Sequence, residues 1–175
     1  MVREFETKVL DINVKEIEGK LLKIGAKKDP EFLMKRWVFD IGKNGEEWIR
    51  LRDDGKKITI TYKYKAGNNI DETEEIELIV NNFQKAAEIL SKIEFKGKYY
   101  QENKRIVFKL KGIEFCIDSW PKLPTYLEIE SSNKEKVVQG LKMLGLQNKD
   151  VGNMLVKDVY SKYGFDLHSF KELKF

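Results

Sequence analysis

Two pairs of glutamates, each spaced by one residue, are the part of the sequence whose residue types and spacing could do chemistry. The first pair lies in the stretch Glu4-Phe5-Glu6-Thr7-Lys8, and the second in Glu128-Ile129-Glu130. In an extended strand, side chains two residues apart point to the same face. Each pair would therefore hold two carboxylates side by side, and carboxylate oxygens are the ligands that hard divalent cations prefer.

One such pair alone also fits an ordinary half-exposed strand whose polar side faces water. What favours a site is that other segments alternate in the same way. Their polar positions carry these charged residues: Arg50, Arg52, Lys63, Glu75, Glu77, Arg105 and Asp118.

The elements that must position these residues are about eight strands, and four amphipathic helical segments accompany them. Alternation of polar and apolar residues predicts the strands, and apolar spacing of three to four residues predicts the helices. Asn13 and Asn82 are suited to begin the first two helices. The predicted strands are the first stretch, 32–41, 48–52, 56–65, 72–80, 99–110, 113–120 and the segment around Glu128. The helical segments are 14–24, 82–90, 137–144 and 151–160.

Eight strands with one apolar and one charged face suit a small closed antiparallel β-barrel in the α+β class. If the helices pack outside and cover the apolar faces, the charged faces must line the interior. Such an interior would concentrate the positive charge of Lys8, Arg50, Arg52, Lys63 and Arg105. A phosphate chain is the natural guest for these bases. The nearby glutamates would repel that guest unless a divalent cation lay between them.

Length and composition exclude several other classes. The chain has 175 residues, which suits one domain over 1–175, and its 33 basic and 29 acidic residues are nearly balanced, unlike a nucleic-acid binder. Cys116 is the single cysteine, so no intramolecular disulfide can form. His168 is the single histidine, which excludes His-dependent zinc sites and argues against Ser-His catalysis. No signal peptide or membrane span is visible, so we expect a cytoplasmic protein.

The ordered set of motifs resembles the CYTH domain of the triphosphate tunnel metalloenzymes. That superfamily includes class IV adenylyl cyclases, thiamine triphosphatases and inorganic tripolyphosphatases. The resemblance covers essentially the whole chain. It rests on Glu-x-Glu-x-Lys, Arg-x-Arg, Thr-Tyr-Lys, the middle Glu-x-Glu, Arg105, Asp118 and Leu-Glu-Ile-Glu.

The resemblance implies a role for each charged residue and a divalent cation, Mg2+ or Mn2+. The implied metal ligands are Glu4, Glu6, Glu128, Glu130 and Asp118. The implied substrate-binding residues are Lys8, Arg50, Arg52, Lys63, Arg105, Glu75 and Glu77. The implied catalytic residues are Glu4, Glu6, Lys8 and Arg52. Two departures are Asn103, where many relatives carry a second base, and the segment 32–41, which lacks the tyrosine of some relatives.

Three functions remain open at this point. The first is metal-dependent hydrolysis of a phosphoanhydride bond in a triphosphate such as tripolyphosphate or ATP. The second is a class IV adenylate cyclase that converts ATP to cyclic AMP and pyrophosphate, and the third is a non-catalytic polyphosphate-binding module. The implied partner is a small-molecule triphosphate, with no nucleic acid or membrane, and the chain could form a homodimer as cyclase-type relatives often do.

Overall fold

The computed structural model describes residues 2–3, 5–41, 47–65, 73–95 and 97–175. Within these ranges it contains eleven strands and four α-helices. The strands are β1 (Val2–Arg3), β2 (Phe5–Val9), β3 (Lys27–Lys28), β4 (Phe32–Asp40), β5 (Glu47–Asp53), β6 (Ile58–Lys65), β7 (Thr73–Val80), β8 (Gly97–Leu110), β9 (Ile113–Ser119), β10 (Tyr126–Ser131) and β11 (Glu172–Leu173). The helices are α1 (Val14–Lys23), α2 (Phe83–Ser91), α3 (Lys134–Leu144) and α4 (Val156–Lys162).

The strands form one strongly curled sheet that is antiparallel except for the parallel pairing of β11 with β8, and the α+β class is confirmed. Its strand order is β1-β7-β6-β5-β4-β8-β9-β10-β2, and the short β3 and β11 both pair with β8. The two ends of this order, β1 and β2, are neighbours in the sequence on either side of Glu4. Closure into a complete barrel stays a prediction, because Glu4 lies outside the described residues.

The apolar faces of β2, β4, β5, β9 and β10 point outward and are covered by helices, as predicted. Behind β2, β9 and β10, the buried side chains of Phe115, Leu127 and Ile129 pack in one cluster with residues of α1 and α3, including Leu21 and Leu141. A second cluster lies behind β4 and β5, where α2 supplies the cover. Because these faces are the hydrophobic core, the opposite faces are free to carry charge.

Side chains of three asparagines start the first three helices. Asn13, Asn82 and Asn133 each accept a hydrogen bond from the backbone N–H three residues later. These bonds satisfy donors that the first turn of a helix leaves without partners. The predicted caps at Asn13 and Asn82 are therefore confirmed.

The last helix is shorter than predicted. The apolar spacing predicted a helix from residue 151, but α4 begins at Val156. The difference arises because the preceding residues bond to β2 instead: the Val151 N–H donates to the Lys8 carbonyl at 3.0 Å, and the Lys8 N–H donates to the Gly152 carbonyl at 3.1 Å. An extended segment beside β2 satisfies backbone groups that a helix would otherwise satisfy internally.

Cover on the outer side is incomplete at β7. Ile76 and Leu78 point outward there and are 58% and 63% exposed. Among the described helices, none has the length and apolar character required to cross a membrane. The assignment of 1–175 to a single domain stays a prediction.

Candidate active site

The inner face of the curled sheet surrounds a cavity of about 1150 Å³. Side chains from β2 and from β4 to β10 line it, and residues of the C-terminal segment line part of it as well. Lys8, Lys63, Asp118 and Glu128 are each at most 9% exposed. The prediction that the charged faces point inward is confirmed.

One half of the lining, which we call the acidic wall, is the inner face of β2, β8, β9 and β10. Its carboxylates in the lining are Glu6, Glu114, Glu128 and Glu130, and Asp118 is fully buried next to Arg105 on the same face. Pairing of β10 with β2 puts Glu128 opposite Lys8 and Glu130 opposite Glu6. The Lys8 ammonium lies 2.7 Å from a Glu128 oxygen and 3.3 Å from a Glu6 oxygen.

Arg105 links three carboxylates of the acidic wall. Its guanidinium binds Asp118 through two nitrogens, at 2.8 and 2.6 Å, and contacts Glu128 at 2.5 Å and Glu130 at 2.9 Å. Asp118 also accepts a hydrogen bond of 2.9 Å from the Asn103 amide. Buried charges persist only when they are paired and hydrogen-bonded, and this wall meets that condition with its own residues.

Burial and nearby opposite charges together determine the pKa shifts in the acidic wall. Burial alone would lower the pKa of Lys8, but Glu128 and Glu6 outweigh it and raise that pKa. Burial would also raise the pKa of Glu128, but Lys8 and Arg105 hold it well below its ordinary value. Burial raises the pKa of Asp118, and Arg105 offsets part of the rise. Opposite charges at short range therefore keep Lys8 and Glu128 ionised.

The other half of the lining, which we call the basic wall, is the inner face of β4, β5, β6 and β7. Its bases from the middle of the strands are Arg36, Arg50, Arg52 and Lys63. Register places Arg36 directly opposite Arg52, and Lys63 opposite Glu75. Lys63 forms an ion pair with Glu75.

Glu77 lies on the same strand as Glu75 and also lines the cavity. It contacts the Lys57 ammonium at 2.7 Å and accepts a hydrogen bond of 3.2 Å from Thr61. Of the two glutamates predicted to bind substrate, Glu75 therefore pairs with Lys63 of the basic wall, and Glu77 pairs with Lys57 beside it.

The acidic wall contains oxygen ligands that fit a hard divalent cation. One carboxylate oxygen from each of Glu6, Glu128 and Glu130 lies within 4.8 Å of the other two. Ligands around Mg2+ lie at about 2.0–2.1 Å from the ion, so a small closing movement would bring three such oxygens into one coordination shell. Glu6 and Glu130 are only partly buried, which leaves room for water or a phosphate oxygen.

The structure brings together most of the predicted site residues. Lys8, Glu6, Glu128, Glu130, Asp118 and Arg105 meet in the acidic wall, and Arg50, Arg52, Lys63, Glu75 and Glu77 line the basic wall. Asp118 does not join the group of three glutamates among the described residues, since Arg105 and Asn103 hold it. Glu4, predicted as a metal ligand and catalytic residue, lies outside the described residues.

Arg36 is a cavity residue that the sequence reasoning missed. Trp37 and Phe39 of β4 lie on the outer side of the sheet, in the cluster that α2 covers. The opposite face of the same strand lines the cavity, and it carries Met34, Arg36 and Val38. The period of two could have identified Arg36, since it lies on the face opposite to the two aromatic residues.

Comparison with known proteins identifies related chains. The family model described as the CYTH domain matches residues 3–150. A protein of Methanocaldococcus jannaschii, which carries the name "putative adenylate cyclase", is 31% identical over 150 residues, or 78% of this chain and 83% of that protein.

Solved structures share the fold. A protein from Pyrococcus horikoshii OT3 superposes with a TM-score of 0.75 at 26% identity, covering 89% of this chain and 98% of that chain. A Hippeastrum protein, described as a "putative adenylyl cyclase" that reveals a dominant triphosphatase activity, superposes with a TM-score of 0.56 at 16% identity, covering 94% of this chain and 96% of that chain. At 16% identity, the second likeness shows the fold alone.

Proposed function

The chain belongs to the CYTH domain family, and on that premise we propose that it is an enzyme that cleaves a phosphoanhydride bond of a triphosphate held in the cavity. A divalent cation, Mg2+ or Mn2+, is required for the reaction. Inorganic tripolyphosphate and nucleoside triphosphates are the substrate classes that this proposal covers.

The observation that carries the proposal is the division of charge within one cavity. The acidic wall offers clustered carboxylate oxygens, and the basic wall offers guanidinium groups and a lysine. A substrate that satisfies both must be a polyanion accompanied by a cation. A linear triphosphate with a divalent cation has this composition.

The basic wall would bind the phosphate chain. Arg50 and Arg52 present planar guanidinium groups that can donate paired hydrogen bonds to phosphoryl oxygens, and Lys63 adds a point charge. Because the site is partly withdrawn from water, these attractions are stronger than they would be on an open surface. Arg52 would stabilise charge that accumulates on the phosphates during bond cleavage.

The acidic wall would hold the cation. Glu6, Glu128 and Glu130 supply the oxygens seen together in the structure, and the sequence pattern adds Glu4 to the proposal. A bound Mg2+ or Mn2+ supplies charge neutralisation on the phosphates and lowers the pKa of a bound water. Lys8 keeps Glu128 ionised and oriented, and Arg105 does the same from the other side.

Hydrolysis is the leading reaction because it needs only water as the nucleophile. The sequence and the geometry supply positioning and charge stabilisation, which are the main protein contributions to phosphoryl transfer. Asp118, buried behind Arg105, would position that guanidinium.

Adenylate cyclase is the second candidate, and two observations favour it. The M. jannaschii relative carries that name. The cavity lining also includes His168 and apolar or aromatic side chains, among them Trp48, Leu155, Val156 and Leu167. Such a lining could receive an organic group such as adenine, after which the ribose 3′-hydroxyl would replace water and pyrophosphate would leave.

Product analysis tests the proposal. The full chain is incubated with tripolyphosphate, ATP or thiamine triphosphate, and with Mg2+, Mn2+ or a chelator. We expect phosphate release with at least one triphosphate, only when a metal is present. Cyclic AMP and pyrophosphate from ATP would instead establish the cyclase.

Tight binding of triphosphate without turnover under any of these conditions would support the third option, a non-catalytic binding module. The absence of both binding and turnover would overturn the proposal altogether. A cytoplasmic location and a homodimer are further proposals, and gel filtration of the full chain tests the second.

A further inference from the structure

Arg36 differs from the other cavity residues in what surrounds it. Its side chain is 8% exposed on the inner face of β4, and it lies directly opposite Arg52 on β5. Like charges at directly opposite positions of neighbouring antiparallel strands repel each other, because their Cβ atoms are only about 4.5–5.5 Å apart. The fold therefore places two arginine side chains next to each other on the basic wall, close enough for the charge of Arg52 to lower the pKa of Arg36.

The partners of Arg36 are all neutral. Its guanidinium donates a hydrogen bond to the Asn103 side-chain oxygen, lies 3.8 Å from the Met34 sulfur and stacks over the Trp120 ring at 4.7 Å. Its Nε is buried and has no hydrogen-bond partner. Among the described residues, no carboxylate lies within ion-pair distance of it. The charge of Asp118, which lies beyond Asn103, offsets only part of the cost of burying Arg36.

Asn103 fixes the direction of this guanidinium. The Asn103 amide nitrogen donates to Asp118 at 2.9 Å, which orients the amide oxygen towards Arg36. Asn103 is fully buried and carries no charge of its own. Arg36 is therefore oriented by its neighbours but not neutralised by them.

The protonation equilibrium agrees with this geometry. Burial, followed by the charges of Arg50 and Arg52, lowers the pKa of Arg36 to about 9. Arginine still carries its charge at neutral pH. An anion placed between these groups would relieve both the burial cost and the repulsion.

We propose that Arg36 binds phosphate oxygens of the triphosphate, acting with Arg52 as a two-guanidinium clamp at the junction of β4 and β5. The inference rests on the proposed function and adds a residue to its binding site. Two forks on adjacent strands can each donate paired hydrogen bonds to phosphoryl oxygens. In the ligand-free protein the same pair is a source of strain, so its removal should stabilise the fold while it weakens binding.

The test compares Arg36→Gln with Lys35→Gln. Gln removes the charge but keeps a donor for the Asn103 oxygen. Lys35 carries the same charge at an exposed position on the outer side of the same strand and serves as the matched control. For each variant, calorimetry measures tripolyphosphate affinity in the presence of Mg2+, and thermal unfolding gives the Tm with and without tripolyphosphate.

We expect Arg36→Gln to bind tripolyphosphate about 10- to 100-fold more weakly, the loss typical of a charge-assisted hydrogen bond. Its ligand-free Tm should equal or exceed that of the wild type, while Lys35→Gln should change neither quantity. A purely structural arginine would give a lower ligand-free Tm with unchanged affinity, and that result would overturn the inference.

Two further variants, Arg36→Lys and Arg36→Met, keep the test decisive if Arg36→Gln does not fold. Arg36→Lys retains the charge but loses the fork, so it should bind more weakly than the wild type and more tightly than Arg36→Met. Where Arg36→Gln does fold, an added Asn103→Lys change returns a positive charge beside the same spot and should recover part of the affinity. If the wild type binds tripolyphosphate and every Arg36 variant binds it equally, only this inference fails. If the wild type does not bind it, the proposed function fails as well.

Discussion

Arg105 and Arg36 lie in the same cavity, yet their surroundings are opposite. Arg105, in the acidic wall, contacts the carboxylates of Asp118, Glu128 and Glu130. Burial alone would lower its pKa, but these carboxylates raise it above the ordinary value of arginine. Arg36, in the basic wall, has neutral partners, and burial with neighbouring guanidinium groups lowers its pKa.

The difference shows how the two walls divide the work of binding. The acidic wall contains its own counter-charges, so its geometry is held in place before any ligand arrives. The basic wall places Arg36 opposite Arg52 and offers Arg36 no described carboxylate partner. We infer that the acidic wall positions a cation, whereas the basic wall gains most when an anion binds.

Removal of one carboxylate from the acidic wall should have the largest effect on activity of any change that separates the two walls. We expect Glu6→Gln to lower metal-dependent turnover by at least about 100-fold, since one oxygen ligand of the cation is lost. Steady-state rates over a range of Mg2+ and Mn2+ concentrations measure this. Glu16→Gln, on the exposed face of α1, is the control with the same chemical change. Full activity in Glu6→Gln would remove the metal assignment from this wall.

Truncation of an arginine in the basic wall should have the next largest effect. It should weaken triphosphate binding more than it weakens metal binding. We expect Arg52→Ala to weaken triphosphate binding by about 10- to 100-fold, because paired hydrogen bonds to phosphate oxygens are lost. Monophosphate, which needs fewer of the bases, should lose less. Titration of both anions into Arg52→Ala and into the control Lys35→Ala measures the ratio, and equal losses for both anions would contradict the placement of Arg52 along a phosphate chain.

The smallest effect is expected for the ion pair between Glu77 and Lys57, beside the basic wall. Burial works to raise the pKa of Glu77, but Lys57 and Thr61 outweigh it and lower that pKa. A carboxylate with a lowered pKa contributes stability above its unfolded-state value of about 4.3, and this contribution is lost as the pH falls through the folded-state pKa. For a pair this exposed we expect at most about 1 kcal/mol.

Thermal unfolding between pH 3 and pH 7 checks this expectation. Glu77→Gln should have a slightly lower Tm than the wild type near pH 7, and the two Tm values should converge below about pH 4. A constant difference across the whole range would show that Glu77 contributes through packing and not through its charge.

Much of the fold could be predicted from the sequence because the signals are local. The alternation in 58–65 identified both the strand and its two faces, and Asn13 and Asn82 marked the helix starts that the structure has. The segment 151–155 was mistaken for helix because apolar spacing cannot show that its backbone bonds to β2.

The residues of the candidate site could be predicted from the sequence better than the contacts between them. Period-two spacing indicated that Lys8, Glu128 and Arg105 face inward. It could not show that Arg105 contacts three carboxylates, or that Asp118 is held by Arg105 and Asn103 instead of joining the glutamate group. Those contacts depend on the register between β8, β9 and β10.

The sequence by itself determined which residues share a face and which face is apolar, since both follow from the two-residue period of a strand and from hydrophobic burial. Only the tertiary structure decided which charges neutralise each other. Strand register and burial bring together residues as distant in sequence as Lys8 and Glu128, and they leave Arg36 beside Arg52. Electrostatic energy depends on distances of a few ångströms and on exclusion of water, and neither quantity is a property of local sequence.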